Sequence, residues 1–204
     1  MQDLDPYHVT LILTALITSV VSPVILYVTK HIITISKKSA KCEITRNLNI
    51  ENLITMKLEK IRDYSGADRV WIAEFHNGGH TFSGRSMQKF SETYEVVRNG
   101  ISQEGINTQN LPTSLFSSFF KIVSEDSIFS IKNKDAFTSM HSFFESRGIK
   151  SFLSLVIRNI ENQTIGVICL DNVQREVTID EHTIDIIRQD VNIISGYLES
   201  FLRK

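Results

Sequence analysis

Apolar residues follow two different spacings along this chain, and each spacing predicts a different kind of element. Between residues 148 and 173, two apolar runs flank a polar turn, which predicts strands at Ser151–Arg158 and Thr164–Leu170. Alternation of apolar and polar residues in the first run is incomplete, so we expect both faces of its sheet to be covered. Over Asp180–Arg203 the apolar residues recur at steps of three and four, which predicts a long amphipathic helix.

The same patterns divide the middle of the chain into shorter elements. A helix is predicted to end near Ser65, with Gly66 as its cap. A strand over Asp68–Asn77 is expected to stop at the Asn77-Gly78-Gly79 turn. The other predicted elements are a strand at Gln88–Val97, helices at Thr113–Ser124 and Asp135–Ser146, and a short strand at Ile128–Ile131. The fold class predicted for this part is α+β, an antiparallel sheet flanked by helices.

The N-terminal part differs, because Val9–Thr29 contains no charged residue. At a rise of 1.5 Å per residue, about 21 residues extend roughly 31 Å, enough to cross the hydrocarbon core of a bilayer. The short tail before it, residues 1–8, is acidic, and no small-residue cleavage site follows, which argues against a removed signal peptide. We therefore expect an uncleaved transmembrane helix rather than the alternative, a buried helix of a soluble protein.

Basic residues predict the orientation of this helix. No Lys or Arg precedes it, whereas several follow it closely: Lys30, Lys37, Lys38, Lys41 and Arg46. The positive-inside rule then places the N-terminus outside and the C-terminal domain in the cytoplasm, with a bacterial inner membrane as the expected membrane. Residues 30–46 form a basic juxtamembrane linker or a continuation of the helix, and residues 47–204 form the folded domain.

Hydroxyl side chains recur at every fourth position of the apolar segment, at Thr10, Thr14, Thr18 and Ser22. Small and hydroxylated residues at this spacing allow membrane helices to approach and to hydrogen-bond to one another, so the stripe is a candidate oligomer interface. The alternative is that each hydroxyl bonds a carbonyl of its own helix. Pro23, just beyond the stripe, is expected to kink the helix.

Composition excludes some classes of function. The chain has 22 basic and 23 acidic residues, so no basic surface large enough for nucleic acid is expected. The hydrophobic content of 42% is sufficient for a proper core. Cys42 and Cys169 do not form a disulfide framework, and Cys169, inside a predicted strand, is interpreted as a buried thiol.

Several stretches together resemble a known family. Leu111-Pro112 precedes a helix, Gly148-Ile149-Lys150-Ser151-Phe152 enters a strand, and Ile165-Gly166-Val167-Ile168 lies in the next strand. With the order of elements, these stretches resemble a GAF domain over residues 47–204. The resemblance implies a sheet with the first and last helices on one face and a small-molecule pocket on the other. The segment Trp71–Gly79 behind a membrane anchor also resembles uncharacterised membrane proteins of tailed bacteriophages, which implies no activity.

Candidate ligand-binding residues cluster after the first predicted strand. They are Trp71, His76, Asn77, Arg85 and Tyr94. His76 and Asn77 lie where a core strand ends and could reach the expected pocket, although turn chemistry explains them equally well. Arg85 and Tyr94 could bind an anionic group.

Motifs for catalysis and for cofactors are not found. The sequence has no nucleophile elbow, phosphate-binding loop, H-E-x-x-H motif or paired-cysteine site, so no enzyme and no catalytic residue is predicted. His76 and His80 lack a third ligand at a recognisable spacing, so no metal is expected. Neither cysteine is placed to link a bilin, and no cofactor is predicted.

The sequence thus predicts a non-enzymatic, membrane-anchored binding and signalling module that acts by self-association. Besides the hydroxyl stripe, one seam of the last helix is expected to form the homo-oligomer interface: Ile187, Val191, Ile194 and Leu198. The expected partners are the membrane, a second copy and a small molecule, without nucleic acid. Two alternatives remain open: a holin-like lysis or membrane-permeabilising protein with a regulatory soluble domain, and a structural anchor that recruits a partner.

Overall fold

A computed structural model of the protein describes residues 5–81, 83–84, 86–126, 128–131 and 138–201. The chain divides into two compact units, residues 1–49 and residues 50–204. The first unit is helical throughout its described part, and the second contains the sheet.

The helices of the first unit are α1, Pro6–Leu16, a π-helical turn at Ile17–Val21, and the first part of α2, Ser22–Ser65. Proline at the first position of α1 is favourable because its fixed φ suits a helix start. Pro23 has no N–H to donate to the preceding turn, and the backbone widens into the π-helical turn just before it. Residues 30–46 continue the helix, as one of the two interpretations expected. The stretch Pro6–Thr34 is long and apolar enough to cross a membrane, with a mean hydropathy of 2.3.

The hydroxyl groups of the predicted stripe bond within their own helix. Thr10 Oγ1 donates to the Pro6 carbonyl at 2.9 Å, and Thr18 Oγ1 donates to the Thr14 carbonyl at 2.9 Å. The Thr14 hydroxyl bonds the Thr10 carbonyl in the same way, and Ser22 Oγ reaches the Ile17 carbonyl at 3.0 Å across the π-helical turn. These bonds agree with the alternative interpretation of the stripe, and its role in self-association stays a prediction.

The second unit contains the end of α2 and nine further helices and strands among the described residues. In chain order they are β1 Arg69–His80, β2 Ser86–Val97, β3 Leu111–Pro112, α3 Ser117–Asp126, β4 Ile128–Ile131, α4 Thr138–Ser146, β5 Ser151–Arg158, β6 Thr164–Asn172 and α5 Glu181–Ser200. Short 3-10 turns occupy Gly105–Asn107 and Thr113–Phe116. The strands form one antiparallel sheet in the order β3-β2-β1-β6-β5-β4. The predicted α+β class with an antiparallel sheet flanked by helices is confirmed.

One face of the sheet is covered by α2 and α5, and we call it the helix face. Its strand residues include Val70 and Ile72 of β1 and Leu155 of β5, all nearly or completely buried. From α2 it receives Ile54 and Leu58, which alternate with exposed polar positions at helical spacing. The core on this face is almost entirely aliphatic.

The seam of α5 that was predicted to bind a second copy lies in this core. Ile187 and Ile194 have no exposed surface, and Val191 and Leu198 are at most 6% exposed. These four side chains pack on the sheet and on α2 within one chain, so they have no surface to offer a partner. The predicted interface on this seam is therefore wrong. The side of α5 that remains accessible carries Ile193, which is 42% exposed.

The opposite face packs against α3 and α4, and we call it the pocket face. Phe152 and Val156 of β5 lie here because side chains alternate along a strand, which places Leu153 and Leu155 on the helix face. All residues from Ser151 to Ile157 are buried, so the expectation that both faces of this strand are covered is confirmed. Aromatic residues dominate the pocket face, with Phe90, Phe116 and Phe120 in edge contacts at 5.2 to 6.5 Å between ring centres.

Some predicted boundaries differ from those in the structure. The Asn77-Gly78-Gly79 sequence does not stop β1, which continues to His80 through a register shift, with Gly79 at a φ of +103°. The helix predicted at Thr113–Ser124 begins as a 3-10 turn and becomes α-helical at Ser117. The start of the helix predicted at Asp135–Ser146 lies outside the described residues up to residue 137, and α4 is described from Thr138.

Candidate functional site

Arg147 lies at the C-terminal end of α4, where the backbone fixes its position. Gly148 has a left-handed φ of +65°, its N–H donates to the Glu145 carbonyl at 3.0 Å, and the Ile149 N–H donates to the Phe144 carbonyl at 2.9 Å. These two bonds form a Schellman motif, in which the left-handed position strongly favours glycine. Ile149 and Phe144 also share the pocket-face core. The end of the helix therefore holds the Arg147 backbone against the sheet.

Glu92 and Glu95 of β2 reach Arg147 because the strand is irregular. Residues three apart in a regular strand point to opposite faces. The pairing of β1 with β2 shifts between Ile72, which faces Tyr94, and Ala73, which faces Glu92. Thr93 is the extra residue of this bulge, and the shift brings both glutamates to the pocket face.

The Arg147 guanidinium lies in a buried site between aromatic rings and acidic groups. Its central carbon is 4.9 Å from the ring centre of Trp71 and 5.1 Å from that of Phe143. Nη1 donates to Glu92 Oε2 at 3.1 Å and to Thr108 Oγ1 at 2.9 Å. Such contacts stabilise a cation that has lost its water.

A second ion pair lies beside the first. Arg69 Nε donates to Asp171 Oδ1 at 2.7 Å, and Trp71 Nε1 donates to Asp171 Oδ2 at 3.0 Å. Arg69 Nη2 also donates to the Arg147 carbonyl at 2.9 Å, which joins the two pairs. Burial raises the pKa of Asp171, and the adjacent Arg69 opposes this effect. We call these residues, with Glu92 and Glu95, the buried charge cluster.

Glu95 connects the cluster to the loop between β2 and β3, residues 98–110. Its carboxylate accepts hydrogen bonds from the N–H groups of Glu104 at 2.9 Å and Gly105 at 3.0 Å. Arg147 Nη2 lies 3.8 Å from Glu95 Oε1, close enough for an ion pair but too far for a hydrogen bond. The loop is thus held over Arg147 by a carboxylate that belongs to the sheet.

The pKa of Glu92 is higher than that of an ordinary glutamate. Burial raises its pKa to about 7, with Arg147 opposing the increase and Glu95 adding to it. With Glu92 protonated, two guanidinium groups face two carboxylates, Glu95 and Asp171, and the cluster is neutral. With Glu92 ionised, it carries one excess negative charge in a buried site, which is unfavourable.

Three atoms of the cluster have no hydrogen-bond partner among the described residues: Arg147 Nε, Arg147 Nη2 and Glu92 Oε1. Buried polar groups are nearly always hydrogen-bonded, so each exception requires an explanation. Nε and Nη2 form one edge of the guanidinium, and that edge can donate two parallel bonds to a carboxylate.

Arg147 lines a cavity of about 570 Å³ between the 3-10 turn Thr113–Phe116, α4 and the loop 98–110. Leu111, Leu115, Phe116 and Phe143 supply its apolar walls. Polar groups from the loop, including Asn107 and Thr108, converge on the same space. A volume of this size, with apolar side chains beside converging polar groups, is within the range of small-molecule sites. We call it the arginine cavity.

A second cavity of about 460 Å³ lies beside α3. Phe75, Phe120 and Val167 form its apolar part, and Ser114 and Ser117 are among the uncharged polar residues that line it. No charged side chain of the described residues lines it. The two cavities thus share the pocket face but differ in chemistry.

The structure separates the predicted ligand-binding residues. Trp71 is on the pocket face, where its indole is engaged by Asp171 and Arg147. Tyr94 packs against the helix-face core, and His76, five positions from Trp71, bonds Ser91 Oγ at 2.9 Å. Asn77 is exposed near the end of β1. Arg85 lies outside the described residues.

The predicted set was therefore wrong as a single site, because it ignored alternation along β1 and β2. His76 and Tyr94 do not lie on the face that carries Trp71. The residues that form the buried charge cluster were missed. One pattern could have indicated them: Arg69 and Asp171 are charged residues directly beside the apolar runs Val70–Ala73 and Val167–Leu170, and both alternate onto the face that carries Trp71.

Cys169 lies on the pocket face but is not available for chemistry. It is completely buried, and its Sγ donates a weak hydrogen bond to Ser154 Oγ at 3.6 Å. Burial raises the pKa of its thiol well above the ordinary value, so the nucleophilic thiolate is disfavoured.

Comparison with solved structures finds similar folds at low identity. A GAF domain of Synechocystis sp. PCC6803 in its photoproduct state is 15% identical, with a TM-score of 0.58, over 76% of this chain and 97% of that one. The blue-light-absorbing PixJ GAF domain of Thermosynechococcus elongatus is 13% identical, with a TM-score of 0.58, over 78% and 94%. The GAF region of a putative membrane protein from Geobacter sulfurreducens is 11% identical, with a TM-score of 0.57, over 76% and 97%.

No curated protein matches the chain. The family model for the GAF domain matches residues 49–195, well over half of the chain. This match agrees with the fold, in which α2 and α5 cover one face of the sheet and cavities lie on the other. The chain belongs to the GAF domain family.

Proposed function

We propose that this protein is a membrane-anchored sensory module that binds a small molecule in the arginine cavity and acts by self-association, without catalysing a reaction. The observation that carries the proposal is a cavity of ligand size that is lined by a buried arginine, Arg147, two of whose donor atoms lack a hydrogen-bond partner among the described residues. GAF domains are typically sensory binding modules, and family membership supports the same role.

Solved structures with a similar fold include a cyanobacteriochrome photoreceptor and a far-red-absorbing protein with bound biliverdin. A covalently linked bilin is not part of our proposal. The thiol of Cys169 is buried in β6, and this burial raises its pKa. The thiolate that would attack a chromophore is therefore disfavoured. The proposed ligand is a smaller molecule held by non-covalent contacts.

Binding is tested directly by native mass spectrometry of the full-length protein in detergent. We expect a co-purified small molecule that dissociates on collisional activation. The variant Ser142→Phe, which adds a ring to the wall of the arginine cavity, should reduce the bound fraction at least tenfold. Ser118→Phe on the exposed side of α3 is the matched control and should retain the molecule. Equal occupancy in both variants would place the ligand elsewhere.

The membrane anchor is the second part of the proposal. The apolar helical stretch Pro6–Thr34 supports it, with the basic residues beyond it favouring a cytoplasmic C-terminal domain. We expect the full-length protein in the membrane fraction of bacterial cells and a variant lacking residues 6–34 in the soluble fraction. Recovery of the full-length chain in the soluble fraction would reject the anchor.

Self-association would then involve the small-residue stripe at Thr10, Thr14, Thr18 and Ser22. Its hydroxyls are bonded to their own helix, so the contact would depend on close packing of small side chains. Thr14→Leu with Thr18→Leu should reduce crosslinked dimer in membranes, whereas Leu13→Ile should not. No observation favours the alternative of a holin-like lysis protein, which stays a prediction from the sequence.

A further inference from the structure

The unpartnered edge of Arg147 restricts the kind of ligand that the arginine cavity can bind. Nε and Nη2 lie on the same side of the planar guanidinium, and both are buried without a hydrogen-bond partner among the described residues. The opposite side is occupied, since Nη1 bonds Glu92 and Thr108. This edge makes no hydrogen bond, although Nη2 lies 3.8 Å from Glu95 Oε1, and its two N–H groups match the spacing of two oxygens on one carboxylate.

We propose that the arginine cavity binds a small organic acid, whose carboxylate accepts two hydrogen bonds from Arg147 Nε and Nη2 and whose apolar body packs against Leu115 and Phe116. This inference rests on the proposed function, because it identifies the ligand class of the same cavity. A small hydrophilic anion such as phosphate is not expected to be the best ligand, because it has no apolar part to contact the apolar side chains of the cavity.

Arg147 is held ready for such a ligand by its surroundings. Trp71 and Phe143 lie at 4.9 and 5.1 Å from its central carbon and fix the guanidinium plane. The helix end at Gly148 fixes its backbone. A donor that is already oriented loses little conformational entropy on binding, which strengthens the interaction.

Access to this edge requires movement of the wall, because both nitrogens are buried. The loop 98–110 and the 3-10 turn that carries Leu115, which is 60% exposed, line the cavity beside Arg147. Glu95 holds the loop by two backbone bonds. We expect the ligand to displace the loop on entry and the loop to close over it.

The charges around Arg147 make binding depend on pH. The groups that face it are Glu92 and Glu95 of β2, Glu104 of the loop, Arg69 of β1 and Asp171 of β6. Arg69 is neutralised by Asp171, and Glu104 is bonded to Ser102 and Asn107. Glu92 titrates near pH 7, so an added carboxylate is repelled less when Glu92 is protonated. Affinity for the acid should therefore be higher at pH 6 than at pH 8.

The experiment uses three probes of the same shape and different charge: 4-phenylbutyrate, 4-phenylbutyramide and 4-phenylbutylamine. Trp71 is the only tryptophan of the chain and lies against Arg147, so its fluorescence in the full-length detergent-solubilised protein reports binding. We expect the acid to bind at least tenfold more tightly than the amide, because only the acid can form a charge-assisted bidentate pair with Arg147. The amine should bind most weakly.

Two variants localise the effect. Arg147→Lys keeps the charge but removes the planar edge, and it should weaken binding of the acid about tenfold while leaving the amide nearly unchanged. Arg188→Lys, on the exposed side of α5, is the matched control. Glu92→Gln should abolish the difference in affinity between pH 6 and pH 8.

Equal binding of acid and amide, or preferred binding of the amine, overturns this inference, and neither result depends on the folding of a variant. Retention of full acid affinity by a folded Arg147→Lys protein would also overturn it. If a co-purified molecule without a carboxylate is found in the cavity, the inference fails and the proposed function stands. If no probe binds and no molecule co-purifies, the proposed function fails with it.

Discussion

The two faces of the sheet are both buried, but they are covered by different kinds of side chain. On the helix face, aliphatic side chains of the strands meet aliphatic side chains of α2 and α5, and a buried carboxylate between the two helices, Asp190, accepts a hydrogen bond from Lys57 at 2.7 Å. On the pocket face, aromatic rings surround two buried arginines and two cavities remain. The helix face is a closely packed aliphatic core, whereas the pocket face combines buried charges with cavities.

A charge placed on the helix face should have the largest effect on stability. Ile194→Glu buries a carboxylate at a position with no exposed surface and should lower the free energy of unfolding by about 5 kcal/mol or more. Ile193→Glu, its neighbour on the accessible side of α5, should change it by less than about 0.5 kcal/mol. Urea unfolding followed by circular dichroism measures both. Similar stability of the two variants would mean that α5 does not pack as described.

The corresponding change on the pocket face leaves a charge without its partner. Arg69→Met removes the cation from Asp171 and should cost about 4 kcal/mol, because an uncompensated carboxylate stays buried. Adding Asp171→Leu should recover much of this loss, since it removes the buried charge. Arg188→Met, which removes the exposed partner of Asp185, should cost less than about 1 kcal/mol. A single and a double variant of equal stability would show that the loss comes from packing alone.

The helix face could be predicted from the sequence much better than the pocket face. The spacing of apolar residues in α5 and the limits of β5 follow local rules that operate within one element. The buried charge cluster brings together Arg69, Glu92, Arg147 and Asp171 from four separate parts of the chain. Its geometry also depends on a bulge at Thr93 that no local pattern indicates. Spacing alone likewise could not tell which seam of α5 faces the sheet.

The protonation of Glu92 on the pocket face should make the stability of the domain depend on pH. Glu92 has a pKa of about 7 in the folded chain, against an ordinary value of 4.5. The folded chain therefore keeps a proton that the unfolded chain loses, and the free energy of unfolding should fall as pH rises from about 4.5 to about 7. The loss from this residue is on the order of 3 kcal/mol. Above pH 7 its contribution should be constant.

Glu92→Gln isolates this effect, because glutamine is neutral at every pH. Urea unfolding of the variant between pH 4.5 and pH 8 should lack the part of the slope that belongs to Glu92. The wild type and the variant should be compared in the same buffer series, since other acidic groups also titrate. Parallel curves would show that Glu92 is ionised in the folded chain.

The smallest effect concerns the helix end that positions Arg147. Gly148→Ala forces a side chain into left-handed backbone and should cost about 1 kcal/mol. Gly196 lies inside α5 with open space around it, so Gly196→Ala should instead raise the free energy of unfolding by about 0.5–1 kcal/mol. Thermal unfolding measures both shifts. A stabilising Gly148→Ala would contradict the Schellman motif.

The bulge in β2 also predicts where this domain can change its length. Thr93 is exposed and has no partner of its own across β1, while Glu92 and Tyr94 face consecutive residues there. Deleting Thr93 would leave a regular ladder in which Glu92 and Glu95 still share the pocket face and Tyr94 the helix face. Most one-residue deletions in a strand exchange its two faces, but this one preserves them. Related domains can therefore lose a residue at this point and keep the same charges against the cavity.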